Sequence, residues 1–306
     1  MLDSFGREIR YLRVSVTDKC NLSCTYCKPR PVKTLRHEDM LSIEELVSVV
    51  RAFCRLGVDK VRVTGGEPLL RKGVVAFCEQ VAALGCETVM TTNATRLQEF
   101  APALRRAGVS RINVSLDTMD AEAYRAITGG DISAALEGIY AAREEGFPLR
   151  INAVLQKGVN EGIMPLVDFS ESVGAELRFI ELMPFNSTTE YFAEKFVPSE
   201  RVIEGYGMTR LSREGVAEYY GFDGHRVGFI SPLGHKFCDG CERMRLTGTG
   251  KILPCLHSSL RFDVRPYLGD EERLVSFLAE CIKAKPHSHH LEEGELQSED
   301  MGSIGG

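Results

Sequence analysis

Six of the ten cysteines in this 306-residue chain fall into two triplets, Cys20-x3-Cys24-x2-Cys27 and Cys238-x2-Cys241-x13-Cys255. Each triplet brings three thiolates, one fewer than the irons of a [4Fe–4S] cubane, so in such a cluster one iron stays open to another molecule. Structural zinc is the alternative; it wants four closed ligands, and after Cys27 the next candidate is His37, ten positions on. Disulfides fit poorly, because the short separations make strained loops and ten cysteines are too few for a disulfide scaffold. Cys54, Cys78, Cys86 and Cys281 sit among apolar neighbours such as Val49, Val50 and Phe53 and read as small core residues.

The elements that must position these thiols form a series. Strand-like runs at Tyr11–Val16, Lys60–Thr64, Glu87–Thr91, Arg111–Leu116, Arg150–Leu155 and Glu176–Ile180 alternate with helical patterns. The helices are expected at Ile43–Leu56, with Ser42 as N-cap and Gly57 as stop, and at Val74–Leu84, Leu97–Ala107, Ala121–Ile127, Ser133–Glu145 and Ile163–Ser172. Six strand–helix units in series imply a parallel sheet.

Within those strands one face is polar: Arg13, Ser15 and Thr17 stand against Leu12, Val14 and Val16, and Arg62/Thr64, Asn113/Ser115 and Arg150/Asn152 repeat the pattern, with Arg178 following more loosely. A doubly wound sheet covered on both faces would read as nearly continuous Val/Ile/Leu, and a filled barrel would want aliphatics inside. The fold class expected is α/β, an incomplete (β/α)6 TIM-like barrel around a wet cavity, with a smaller C-terminal region carrying the second cysteine triplet. The expected divisions are residues 1–200 for the barrel, 201–285 for the C-terminal region and 286–306 for a tail ending Gly305-Gly306. Pro184–Ser199 reads as loop, Val227–Leu233 as a strand and Asp270–Lys283 as a closing helix.

At 43% hydrophobic and 26% charged the chain can bury a full core, and its net charge of −6 argues against a general nucleic-acid binder. No run approaches a membrane span and the N-terminus lacks a signal-peptide hydrophobic region, so a reducing cytoplasm is the expected compartment.

The loop Thr17-Asp18-Lys19-Cys20 through Cys27, with Tyr26 before the third cysteine, resembles the radical S-adenosylmethionine superfamily, as does Val63-Thr64-Gly65-Gly66-Glu67-Pro68. More narrowly, Thr91-Thr92-Asn93, Asn113 to Asp117, Asn152 to Asn160, Arg178 to Met183, the segment Phe237 to Thr247 with its Arg243-x-Arg245, Asp263 to Pro266 and the terminal Gly-Gly are similar to the GTP 3′,8-cyclase family of molybdenum cofactor biosynthesis. The resemblance covers nearly the whole chain.

It implies two [4Fe–4S] clusters, on Cys20/Cys24/Cys27 and on Cys238/Cys241/Cys255, the first binding S-adenosylmethionine and the second the guanine of GTP. Tyr26, Gly66, Ser115 and Met183 would then meet S-adenosylmethionine. Arg13, Arg62, Thr91, Lys157, Arg178, Arg243, Met244 and Arg245 would hold GTP, and Gly305 and Gly306 would assist turnover in the active site. Planar guanidinium groups suit a triphosphate. The implied reaction is abstraction of the ribose 3′ hydrogen by a 5′-deoxyadenosyl radical, followed by C3′–C8 bond formation. The implied partners are GTP, a flavodoxin- or ferredoxin-type reductant, the downstream cyclic pyranopterin monophosphate synthase and, as an option, a second copy in a homodimer.

Three positions depart from the family pattern: Lys28 for methionine, Ala94 for glycine and Glu242 for asparagine. Glu242, set beside a triphosphate, would repel it unless Arg243 or Arg245 neutralised it. The competing readings are a radical S-adenosylmethionine enzyme modifying peptides or metabolites, and a two-cluster electron carrier. His287, His289 and His290 read as surface or tail-docking residues.

Overall fold

The computed structural model describes residues 1–27, 36–289, 291 and 301–304; Lys28, His290, Gly305 and Gly306 lie outside the described residues. Six strands lie parallel and in chain order: β1 (Tyr11–Ser15), β2 (Lys60–Thr64), β3 (Glu87–Thr92), β4 (Arg111–Ser115), β5 (Leu149–Leu155) and β6 (Glu176–Glu181). The helices between them are α1 (Ile43–Arg55), α2 (Val74–Ala83), α3 (Leu97–Arg106), α4 (Ala121–Thr128), α5 (Ile132–Glu144) and α6 (Met164–Ser172). Each expected strand and helix of this series is present within a residue or two of its expected bounds.

Local chemistry explains the helix limits. Ser42 Oγ accepts the Glu45 amide at 3.1 Å while the Glu45 carboxylate accepts the Ser42 amide at 2.7 Å, a reciprocal capping box that starts α1. Asp120 accepts the Ala123 amide to cap α4, and Gly129 at φ +73° ends it.

Past α6 come α7 (Thr189–Lys195), α8 (Ser199–Gly205), the antiparallel run β7 (Thr209–Glu214), β8 (Ala217–Phe222) and β9 (His225–Ile230), then β10 (Arg243–Leu246), β11 (Lys251–Leu253), β12 (Phe262–Asp263), α9 (Glu271–Lys283) and α10 (Met301–Ile304). The segment read as loop from Pro184 to Ser199 therefore contains α7. All twelve strands share one sheet in the order β12-β11-β10-β1-β2-β3-β4-β5-β6-β9-β8-β7. β10 pairs parallel with β1 and β9 pairs parallel with β6, so each edge of the six-stranded core gains one further parallel strand from the C-terminal third. The sheet does not close, as expected of an incomplete barrel.

The apolar strand face packs outward on the helices: Leu12, Val14, Val61, Val63, Ile112, Val114, Ile151 and Phe179 are all fully buried in one core. Removing such side chains from water supplies the main force holding helices to sheet, about 1.5–3 kcal/mol each. The polar face is left to the interior of the curl.

Candidate active site

The interior holds a cavity of about 330 Å³, and both cysteine triplets lie on its wall. Their placement follows from strand direction. Cys20 comes five residues after the C-terminal end of β1, whereas Cys241 comes two residues before the N-terminal end of β10. Because β1 and β10 run parallel in the register Tyr11↔Arg243 to Val14↔Leu246, the two triplets face the cavity from opposite mouths of the barrel. β11 runs back antiparallel to β10 and returns Cys255 to the mouth that holds Cys241. A five-residue strand at about 3.3 Å per residue puts at least ~13 Å between the mouths.

Between them stands a row of cations. Arg13 on β1 has Arg245 on β10 and Arg62 on β2 as its lateral partners, so three guanidinium groups sit side by side on adjacent strands about 4.8 Å apart. Burial pushes Arg13 and Arg62 down to about 9 and Arg245 to about 10, and the neighbouring arginines push in the same direction. The Nε of Arg62 is buried without a hydrogen-bond partner. One row nearer the second triplet, Tyr11 pairs with Arg243 and Lys60, and its buried hydroxyl has no hydrogen-bond partner. Like charges directly opposite in a sheet destabilise it, so this row is built for an anion.

Across the cavity, Arg150 and Arg178 also line the wall, but Glu176 accepts from both, at 2.9 and 2.8 Å from Arg150. One carboxylate shared by two guanidinium groups offsets half of their charge and leaves a net positive charge on this wall. Thr91, whose buried hydroxyl has no hydrogen-bond partner, and Ser115 complete the polar wall.

The first cysteine loop rests on the turn after β2. A Cβ on Gly66 would lie 2.4 Å from the carbonyl oxygen of Lys19, and one on Gly65 2.6 Å from that of Thr17. The paired glycines are therefore required by packing of one loop directly on the other. The adjoining Glu67, fully buried, accepts the amides of Leu69 and Asn93 and the hydroxyl of Thr92, at 3.0, 2.8 and 2.8 Å, and burial raises it to about 7. Tyr26 donates its hydroxyl to Asp117 at 2.6 Å, and the other Asp117 oxygen accepts the Val154 amide at 2.8 Å. Asp117 lies in the quoted motif Asn113 to Asp117, two residues past the strand end, but carried no expected role; its place in that motif was the signal available.

Two further residues clamp the second triplet. Lys285, buried, donates to the carbonyls of Arg243 and Pro254 at 2.8 and 2.6 Å, bracketing Cys241 and Cys255. Arg7, paired with Asp3 at 2.6 Å, donates to the carbonyls of Cys238, Pro286 and His287 at 2.9, 2.7 and 2.7 Å. Arg7 belongs to the stretch from Phe5 through the first cysteine loop that resembles the family, but carried no expected role, and nothing in its sequence context marks Lys285; the partners of both are backbone carbonyls distant in the chain.

Tyr26, Gly66, Ser115, Met183, Arg13, Arg62, Thr91, Arg178, Arg243 and Arg245 all reach the cavity wall. Two expected residues do not. Met244 is fully buried in the core on the opposite face of β10, where the period-two alternation between Arg243 and Arg245 sends it. Lys157 is exposed just past β5 and outside the wall. His289, expected at the surface or docking the tail, is buried on the wall beside His257, with ring centroids 5.4 Å apart, while His287 stays exposed. Glu242 lies outside this cavity, in a second depression with Arg10 and Asp59, which removes the expected clash with an anion on the arginine row.

Comparison with known proteins bears on the same residues. The radical SAM superfamily matches residues 14–169, and Molybdenum Cofactor Synthesis C matches residues 175–291. GTP 3′,8-cyclase of Peptoclostridium acidaminophilum is 40% identical, over 100% of this chain and 98% of that protein; the one of Pelotomaculum thermopropionicum is 39% identical over 100% of both. This chain belongs to the GTP 3′,8-cyclase family of radical SAM proteins. The fold of this family member is also that of Streptococcus suis SuiB bound to S-adenosylmethionine, with a TM-score of 0.68 over 91% of this chain and 68% of that one at 18% identity.

A [4Fe–4S] cluster and S-adenosylmethionine come with the superfamily, and the first triplet of this radical SAM protein fits them. None of its three thiols is tied up in a disulfide. Burial, and then the negative charge of Cys27, Asp117 and Cys20, push Cys24 well above its ordinary value, so three thiolates here need a cationic partner. Among the described residues no three His, Cys, Asp or Glu side chains gather closely enough for a single metal ion. A cubane accommodates wider spacing because each thiolate binds a different iron.

Proposed function

We propose that the chain converts GTP to (8S)-3′,8-cyclo-7,8-dihydroguanosine 5′-triphosphate, the first step of molybdopterin biosynthesis. The observation that carries this reading is the row Arg245–Arg13–Arg62 set between two thiolate triplets at opposite mouths of one cavity. A substrate there must carry an anionic group for the arginine row, must present a hydrogen to one mouth and must offer a ligating group to the other. A nucleoside triphosphate has all three features.

In this reading residues 1–200 form the radical half, 201–285 the auxiliary region and 286–306 the tail. Cys20, Cys24 and Cys27 would hold the cluster that, with S-adenosylmethionine, supplies the 5′-deoxyadenosyl radical for hydrogen abstraction at ribose C3′. Cys238, Cys241 and Cys255 would hold a second [4Fe–4S] cluster whose open iron takes the guanine base. Arg13, Arg62 and Arg245 bind the phosphates through charge-assisted hydrogen bonds, with Arg243 beside the base. Tyr26, held by Asp117, keeps the first loop folded against the cavity. Arginines sunk in the barrel wall also fix the triphosphate more firmly than fully exposed ones could.

α10 brings Met301 to the cavity wall and packs Ile304 against Phe185 and Leu253, immediately before Gly305 and Gly306. That placement supports a role for the terminal pair in turnover. GTP binding, a flavodoxin- or ferredoxin-type reductant and a cytoplasmic location belong to the same reading.

The test is anaerobic reconstitution with iron and sulfide, followed by S-adenosylmethionine, dithionite and GTP, with mass spectrometry of the nucleotides. Formation of the cyclised dihydro nucleotide is expected. 5′-Deoxyadenosine formed with GTP unchanged would refute the cyclase reading and spare the cofactor one.

A further inference from the structure

Two of the four cysteines that read as small core residues pack at the core as expected and also meet each other. Cys54, on the last turn of α1, and Cys86, one residue before β3, have their sulfurs 3.0 Å apart, within about 1 Å of a disulfide bond length. Both are free thiols. By contrast Cys78 and Cys281 are buried, and burial raises each to about 12.

We propose that Cys54 and Cys86 form a thiol modification site that takes a small-molecule disulfide as its reactant and closes to an intrachain disulfide, separately from the six cluster cysteines. The two thiols divide the work by exposure. Cys54 is partly exposed, while Cys86 is 7% exposed and points its sulfur toward the Val58 carbonyl at 3.8 Å. The reactant therefore reaches Cys54 first. The hydrogen bond from Cys86 lowers Cys54 from its ordinary value, favouring the thiolate at that sulfur.

The chemistry balances without a further oxidant. The Cys54 thiolate attacks one sulfur of the reactant disulfide, forming a mixed disulfide and expelling one small thiolate, which takes up a proton. Cys86 then loses its proton to solvent and attacks the Cys54 sulfur, expelling the second small thiol. Two protein thiols are oxidised by two electrons and one small disulfide is reduced to two thiols. The bond joins positions 32 residues apart and ties the end of α1 to the start of β3, at the N-terminal mouth where the second triplet also lies.

The experiment treats the cluster-loaded full chain anaerobically with oxidised glutathione, blocks remaining thiols by alkylation and maps peptides without reduction. The expected result is one linkage, Cys54 to Cys86, with two glutathiones released per chain, unchanged iron content and an unfolding midpoint raised on the order of 5 °C. Cys86→Ser should stop at a glutathione adduct on Cys54, and Cys54→Ser should give neither product. Recovery of both residues as alkylated thiols in the wild-type chain, a Cys54 bond to a different cysteine, or iron loss in step with linkage would each overturn the proposal.

Discussion

Replacing Arg62 by methionine should stabilise the ligand-free protein and weaken nucleotide binding at the same time. Burial, and then the guanidinium groups of Arg13, Arg243 and Arg150, push Arg62 from 12.5 down to about 9, with Tyr11 acting in the opposite direction. At about 1.4 kcal/mol per pH unit, that drop sets a ceiling of about 5 kcal/mol on the cost of keeping the group charged at neutral pH. The side chain retains some surface on the cavity, so water screens much of this cost. The substitution would also forfeit the contact of the guanidinium with the Tyr11 ring, 5.5 Å away, worth about 0.5–1 kcal/mol.

A net gain of about 1–3 kcal/mol is left, in line with exchanges of buried ions for apolar groups of similar size. The sign of the pH dependence follows: the penalty is present in full below about pH 9 and fades as pH rises toward 12.5. With nucleotide bound this gain is offset, because one lost guanidinium–phosphate contact costs about 1.5–3 kcal/mol, or roughly 10- to 100-fold in Kd. Anaerobic urea unfolding of the Arg62→Met variant and parent, with and without inorganic triphosphate, reads both effects. A variant less stable than the parent by more than about 1 kcal/mol without ligand, or one binding GTP with unchanged affinity, would show that the arginine row is a structural network and not an anion site.

Three other substitutions, with Gly162→Ala as a control away from the cavity, probe separate parts of the structure. Burial raises Asp117 to about 6, so between about pH 4 and 6 the unfolded carboxyl ionises while the folded one stays protonated; stability should fall by up to about 3 kcal/mol as pH rises through that window. Asp117→Asn should flatten this slope in urea titrations spanning roughly pH 4.5 to 6.5. Gly66→Ala places a Cβ against the Lys19 backbone and should cost about 2–4 kcal/mol with loss of S-adenosylmethionine binding by calorimetry, whereas Gly162→Ala, with open space at its Cβ, should shift stability by no more than about 0.5 kcal/mol. Ala94 holds φ at +64°, which accounts for the family's glycine there; Ala94→Gly should raise stability by about 0.5–1 kcal/mol in thermal unfolding.

The barrel core was legible because each of its strands alternates over five to seven residues and the first helix carries recognisable end signals at Ser42 and Gly57. Alternation alone placed Arg13 and Arg62 toward a cavity. The partner that completes their row, Arg245, lies on a four-residue strand, too short to show a period, and its lateral neighbour Arg13 is 232 positions away in the chain. β7 was illegible for a different reason: it is an exposed edge strand whose residues, Thr209–Glu214, are mostly polar. Glu176 and Arg178 lie two residues apart on one strand, but only the pairing of β5 with β6 shows that Glu176 serves Arg150 too.

The parallel pairing of β10 with β1 also dictates where the second triplet can be. β9 ends at the mouth that holds Cys20, and β10 begins at the other. The chain from Ser231 to Glu242 must therefore run from one mouth to the other, and its regular structure is a single 3-10 turn at Cys238–Gly240. Pro232, Phe237, Cys238 and Cys241 on the wall trace its passage along the cavity. At its upper end the buried Glu181 carboxylate accepts the amides of Leu233 and Gly234, at 3.3 and 3.4 Å; at its lower end Arg7 holds the Cys238 carbonyl at 2.9 Å. Had β10 paired antiparallel, both triplets would share a mouth and Arg245 would leave the row. One strand direction thus sets both the separation of the thiolates and the charge between them.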